Sequence, residues 1–276
     1  MSKADHLARR LRDLDSVIVA YSGGVDSAYL AFMAHATLGA RACAITADSP
    51  SYPSRHREIA LAIAARYGFH HEIIHTDEMA RREYRANAPD RCFHCKHELY
   101  SHLTAIASAR GFRAVVDGAN ADDRSDYRPG RQAARDFGVL SPLDEVDLTK
   151  AEIRQLAREA SLPVWDEPAS ACLSSRIPYH QVVTDEKLRA IEQAEAVLHQ
   201  LGFRQCRVRH HGEVARIELE AGDMARALAV EVRSAVVARL MGLGFRYVAL
   251  DLKGFRTGSL NEGLSLTPEP GSRLET

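Results

Sequence analysis

With 276 residues, 46% of them hydrophobic and 26% charged, the chain is long enough to bury a sizeable core and to hold a main domain and a smaller one. A formal net charge of −1 gives no global pull toward nucleic acid, and no apolar run reaches the length of a membrane span. Residues 1–6 lack the apolar stretch of a secretory signal, so the expected location is the cytoplasm, with no membrane partner. Five cysteines without such a signal argue against a disulfide scaffold and for metal or redox chemistry.

Leu7, Leu11 and Leu14 share one face of a short helix predicted over 6–14. The apolar run 16–21 reads as a strand that feeds Ser22-Gly23-Gly24-Val25-Asp26-Ser27 and then a helix. A strand, a Gly-Gly turn and a helix N-terminus form an anion site, because first-turn amides have no intrahelical acceptor. Gly23 and Gly24 let the backbone close around an anion, and Ser22 and Ser27 add hydroxyls. Asp26 would repel a phosphate unless a cation lies between them, so the hexapeptide points to a nucleotide with Mg2+. An ordinary glycine-rich turn is the competing reading. Neither the three-glycine dinucleotide fingerprint nor the Gly-Lys-Ser/Thr phosphate loop is present here.

Further strands are predicted at 42–47, 72–74 and 114–116, alternating with helices at 54–67 and 96–109. That alternation predicts an α/β fold, a mostly parallel sheet covered on both faces, with ligands at the carboxyl ends of the strands. Asp48 and Ser49 fall at one such end, where they could orient ribose or adenine; Gly118 and Asn120 fall at another, where Gly118 would allow a close approach. Each taken alone is also an ordinary turn residue. The charged run 122–130 follows, with Asp122 or Asp123 as candidate cation ligands and Arg128 as a candidate to neutralise phosphate or carboxylate; a solvated loop is the alternative.

Thr149 and Glu152 form a capping box that opens a helix burying Ile153, Leu156 and Ala157. From 161 to 183 no periodicity survives Pro163, Pro168 and Pro178, and a stretch of this length is more often functional than a plain connection. The expected organisation is therefore a nucleotide domain over 1–160, an active-site loop over 161–183 and a smaller α/β domain over 184–276. In the last, helices near 185–201 and 223–241 flank strands at 206–209, 213–219 and 247–250. Arg207 and Arg209 alternate, so a strand places both on one face, where two guanidinium groups can hold a phosphate; pairing with nearby Glu218 or Glu220 is the alternative. Glu195 is expected on the polar side of its helix, as a solvated residue.

Cys92 and Cys95 form a C-x-x-C pair predicted just ahead of a helix, and Cys172 lies far along the chain. A redox disulfide, a zinc site completed by Cys172 with His94 or His97, and a 4Fe-4S cluster with one open iron all remain compatible with the spacing. Cys43 reads as a small buried residue in a central strand, and Cys206 begins an edge strand.

The hexapeptide 22–27 resembles the pyrophosphatase loop of the N-type ATP pyrophosphatases. Together with 46–49, the run 117–130, the run 171–179 (ACLSSRIPY) and 252–258, it is similar to the LarE family of sulfur transferases across nearly the whole chain. The resemblance implies that ATP adenylates a carboxylate of pyridinium-3,5-biscarboxylic acid mononucleotide, which then becomes a thiocarboxylate, with release of pyrophosphate and AMP. One form of the family sacrifices the sulfur of the cysteine matching Cys172. The other holds a 4Fe-4S cluster on three cysteines, and its open iron carries an additional sulfide. Cys92, Cys95 and Cys172 match the second form. The resemblance further implies mononucleotide phosphate binding by Arg207 and Arg209 with help from Ser175 and Arg176 in the loop, a metal or substrate contact at Glu195, a sulfide source or sulfur donor, and a homo-oligomer. Enzymes that thiolate tRNA bases share this chemistry, but the near-neutral charge and lack of an RNA-binding module count against a nucleic-acid partner. An ammonia-using synthetase would not need three clustered thiols, and a non-catalytic ATP-binding protein would release no pyrophosphate.

Overall fold

The computed structural model describes residues 2–125, 129–168, 171–256 and 258–260. The chain divides into two units, Met1–Cys172 and Leu173–Thr276, and the division falls inside the 161–183 stretch.

The first unit is built on a four-stranded parallel sheet of order β3-β2-β1-β4, with β1 Val17–Ala20, β2 Ala42–Asp48, β3 His71–His75 and β4 Ala114–Val116. The chain moves outward on one side of β1 and returns on the other as β4, which puts the topological switch point between β1 and β4, where such sheets bind ligands. A parallel bridge between Val116 and Leu140 extends the β4 edge.

Alternation along β1 assigns the two faces. Val17 and Val19 join a core with α1 (Lys3–Leu14), α2 (Val25–Leu38), α3 (Ser54–Tyr67) and, later in the chain, Ile153 and Ala157. Ile18 and Ala20 join a second core with Cys43 and Ile45. After the short α4 (Arg82–Arg85), the long α5 (Arg91–Arg110) adds Tyr100 and Leu103 to that second core, and α6 (Gly130–Asp136) adds Ala133 and Ala134. The short α7 (Pro142–Glu145) and then α8 (Lys150–Glu159) complete the unit, α8 opening on the Thr149/Glu152 capping box. A second capping box, Ser2 with Asp5, starts α1 at Lys3, earlier than the leucine spacing alone indicates.

The second unit carries α9 (Asp185–Gln200), β5 (Cys206–His211) and β6 (Val214–Leu219), then α10 (Met224–Leu228), α11 (Val230–Gly242) and β7 (Tyr247–Leu250). β5 pairs antiparallel with β6, and β6 pairs parallel with β7. Its core gathers Ala194, Leu198, Phe203, Val208, Ile217 and Leu240. The single helix expected over 223–241 is broken at Ala229, whose ψ of 139° is extended and leaves the helical region.

Candidate active site

The loop 22–27 joins the end of β1 to the start of α2 at the switch point. Gly23 adopts φ +70°, and an added Cβ would lie 3.0 Å from the His56 carbonyl and 3.1 Å from Ala60, so both conformation and space require glycine. Gly24 is the N-cap of α2, leaving the first-turn amides aimed out of the helix end. The loop is braced from within: the Ser22 amide donates to Ser27 Oγ at 3.1 Å, and Ser27 Oγ donates to the Gly24 carbonyl at 3.1 Å. Tyr52 Oη donates to the Ser22 carbonyl at 3.0 Å. Asp26 ion-pairs through Oδ2 with Lys150 Nζ, while its Oδ1 is buried with no hydrogen-bond partner among the described residues. A buried anionic oxygen without a donor fits a hard cation such as Mg2+.

Gly118 follows β4 and meets the loop directly. A Cβ there would lie 2.9 Å from the Ser27 amide nitrogen and 3.2 Å from its Cα. The space opened by this glycine is thus filled by the first turn of α2. Asp117 fixes the approach by accepting from Tyr100 Oη and from Ser141 Oγ, each at 2.7 Å. Asn120 is buried; its amide donates to Asp123 Oδ2 at 3.1 Å, and its Oδ1 accepts from the Asp122 amide at 3.0 Å. Asp122 also accepts from the Lys150 amide at 2.8 Å. Both aspartates are engaged in holding the 120–123 turn against the start of α8. Arg128 lies outside the described residues.

At the end of β2, Asp48 accepts from Arg57 at 2.7 Å. Ser49 Oγ lies 3.1 Å from Ser51 Oγ, and Ser51 Oγ donates to Glu78 Oε1 at 2.7 Å. Glu78 is buried and also accepts from Thr76 Oγ1 at 3.2 Å. It drew no attention in the sequence because a glutamate in an irregular stretch carries no periodic signal.

Cys92 and Cys95 sit within the first two turns of α5, not ahead of it, since the helix starts at Arg91 after the N-cap Asp90. The fold brings Cys172 into electrostatic contact with both. Burial pushes the Cys92 thiol up, with Cys172 next in effect, while Arg91 and Lys96 act in the opposite sense. Burial also pushes up the Cys95 thiol, followed by the Glu78 carboxylate and then Cys172. Cys92 is exposed as a residue, although burial is the main cause that raises its thiol.

Three cysteine sulfurs are a donor set that either zinc or an iron-sulfur cluster accepts. Among the described residues, the one group of three metal-ligand atoms all within 4.8 Å of one another is Cys43, His70 and Glu72. The Cys43 group, at the amino-terminal edge of the sheet, already holds a cation: Arg110 donates to Glu72 Oε1 at 2.6 Å. Burial, then Glu72, raises the Cys43 thiol to about 12.

In the second unit, Arg176 lies in a single 3-10 turn (Leu173–Arg176) and is buried. Its Nε and Nη2 donate to Glu195 at 2.9 and 3.1 Å, and its Nη1 donates to Ser175 Oγ at 3.0 Å. Glu195 also accepts from the Val208 amide at 3.0 Å. The solvated alternative for Glu195 is corrected: it lies on the buried face of α9 and ties that helix to β5. Arg209 is committed as well, donating to both Glu218 oxygens at 2.9 Å, to the Ser175 carbonyl at 2.6 Å and to Ser259 Oγ at 2.5 Å. Arg207 differs. It is 8% exposed, its guanidinium lies 4.5 Å from the Phe255 ring centroid, and among the described residues neither an ion pair nor a hydrogen bond engages that guanidinium. Burial, then the neighbouring Arg176 and Arg209, lowers it to about 10. Of the two arginines, one is a structural strut and the other a buried cation available to an anion. Phe255, which positions it, was visible only as part of the 252–258 run.

Comparison with known proteins agrees with this arrangement. The asparagine synthase family model matches residues 4–124, the part of the first unit that holds the loop and sheet. An uncharacterized protein of Synechocystis is 44% identical over 264 residues, covering 96% of this chain and 98% of its own. An uncharacterized protein of Methanocaldococcus jannaschii is 27% identical over 241 residues, covering 87% and 91%. The pyridinium-3,5-bisthiocarboxylic acid mononucleotide synthase of Lactiplantibacillus plantarum is 37% identical over 265 residues, covering 96% of this chain and 95% of its own. Similarity of that degree over nearly the full length of both chains, on an α/β fold with a pyrophosphatase-type loop at its switch point, shows that the protein belongs to the LarE family and is an ATP-dependent sulfurtransferase.

Proposed function

We propose that the protein converts the carboxylates of pyridinium-3,5-biscarboxylic acid mononucleotide to thiocarboxylates. The observation that carries the cluster form of this reading is the meeting of Cys92, Cys95 and Cys172 in the unit that also holds the ATP loop. In the first step a carboxylate oxygen attacks the α-phosphorus of ATP, pyrophosphate leaves, and a mixed anhydride with AMP remains. The amides at the start of α2, with Ser22 and Ser27, bind the departing pyrophosphate, and Asp26 Oδ1 would hold Mg2+, which when bound supplies positive charge for the phosphates. Arg207 takes the 5′-phosphate of the mononucleotide, gaining the partner that its burial leaves wanting. Arg209, Arg176 and Glu195 keep the strand and loop around it in place.

Sulfur then replaces AMP on the activated carbonyl. Cys92, Cys95 and Cys172 would hold a 4Fe-4S cluster, which when bound supplies an open iron able to present a sulfide drawn from an external source. Glu78 lies on the Cys95 side of the triad, and its negative charge disfavours a bare thiolate there.

The test is to separate the two halves. Asp26→Asn is expected to abolish AMP and pyrophosphate release. Cys92→Ser and Cys95→Ser are expected to keep AMP release but yield no repeated thiocarboxylate formation. Normal product turnover by either cysteine variant would remove the cluster from the mechanism.

A further inference from the structure

Asp26 and Lys150 form an ion pair in which the carboxylate is only half used: Oδ2 receives the ammonium, while Oδ1 is buried without a partner among the described residues. The backbone of Lys150 does not depend on that pair. It is the first residue of α8, fixed by the Thr149 capping box and by its own amide donating to Asp122 at 2.8 Å. Its side chain is one-third exposed, so the four-carbon stem can pivot while its root stays fixed.

We infer that Lys150 is an exchange cation of the nucleotide site: it neutralises Asp26 when the loop is empty, and it passes to a β- or γ-phosphate oxygen when MgATP binds. This rests on the adenylation reading. Electrostatics favour the exchange. The start of α2 favours Asp26 as an anion; without ATP its counter-ion is Lys150, and with ATP a divalent ion would take that role beside the phosphates. A divalent ion on Oδ1 would neutralise the carboxylate and repel the ammonium across it, which weakens the hold on the ammonium at Oδ2 and favours release of the lysine. The released ammonium stays at the helix end where the phosphates would bind, and a strongly hydrated point charge suits a phosphate oxygen. No bond is made or broken in this exchange; Lys150 is a positioning residue before ATP arrives and a phosphate ligand afterwards.

The signature is a pair of effects of opposite sign, which a purely structural salt bridge would not produce. Lys150→Ala should tighten binding of Mn2+ alone to the nucleotide-free protein by several-fold, because the competing ammonium is gone. The same variant should weaken MgATP binding by about tenfold or more, and Lys150→Arg should restore most of that loss. Mn2+ binding is read by electron paramagnetic resonance and nucleotide binding by calorimetry, on full-length protein whose thermal unfolding is first shown to match wild type. Weakening of both ligands, or a change in neither, would overturn the inference. Neither binding measurement involves sulfur transfer, so opposite shifts in a protein that releases no AMP would reject the adenylation reading while retaining the exchange. Should Lys150→Ala fail to fold, Lys150→Gln and Lys150→Met carry the same opposed expectations.

Discussion

Glu218 stands directly opposite Arg207 in the β5–β6 register, yet its carboxylate is held by Arg209, one pleat away along the same face. Long side chains readily reach such diagonal neighbours. Ser259 and the Ser175 carbonyl complete the Arg209 fork, so the bidentate geometry there is satisfied and Arg207 is left against the Phe255 ring. A fold that needed only structural ion pairs would have no use for this second buried guanidinium.

Removal of Arg207 should therefore separate stability from binding. Its lowered pKa means that the folded state disfavours the charged form; the penalty is fully present below about 10 and fades as pH rises toward the ordinary arginine value. At neutral pH Arg207→Met should raise stability, on the order of 1 to 2 kcal/mol, because it removes an unpaired buried cation. Inorganic phosphate should stabilise the wild type in thermal unfolding more than the variant, which keeps only the anion site at the start of α2.

The neighbouring pair predicts the reverse. Arg209→Met or Glu218→Gln should cost about 3 to 5 kcal/mol in denaturant unfolding, since either leaves a buried partner uncompensated. An unchanged midpoint would contradict the strut role.

Gly118→Ala tests the contact between the β4 end and the ATP loop. The new methyl would press on the Ser27 backbone, which cannot swing aside as a side chain would. The expected cost is about 1 to 3 kcal/mol, together with a higher KM for ATP. A variant with wild-type stability and KM would show that the loop tolerates displacement.

Glu78 is predicted to hold back the reactivity of Cys95 in the metal-free protein. After burial, its charge is the next cause of the raised thiol, so Glu78→Gln should lower that pKa and speed alkylation of Cys95 at neutral pH several-fold. Peptide mass spectrometry with iodoacetamide checks the rate at each cysteine separately.

The features legible in the sequence were those with a local physical signature. The Gly-Gly turn between β1 and α2, the alternation of strands and helices, and the Thr149 capping box all follow from short-range rules and are present in the fold. Arg207 and Arg209 were readable as sharing a face, but not which of them Glu218 would take, because a diagonal choice depends on packing. Lys150 read only as the start of a helix; its approach to Asp26 crosses 124 residues of sequence. The cysteine helix began earlier than its apolar spacing suggested, because Cys92, His94 and Cys95 are poor helix markers. Cys172 could be joined to Cys92 and Cys95 only by resemblance, until the fold brought the thiols into electrostatic contact.

The central claim is that sulfur reaches the substrate through a triad that survives the reaction. Anaerobic reconstitution, followed by parallel measurement of iron, AMP and thiocarboxylate per chain and of the intact mass at Cys172, tests it most directly. The account predicts more than one thiocarboxylate per chain with Cys172 unchanged in mass. A single stoichiometric product, with Cys172 lighter by the mass of hydrogen sulfide, would contradict it.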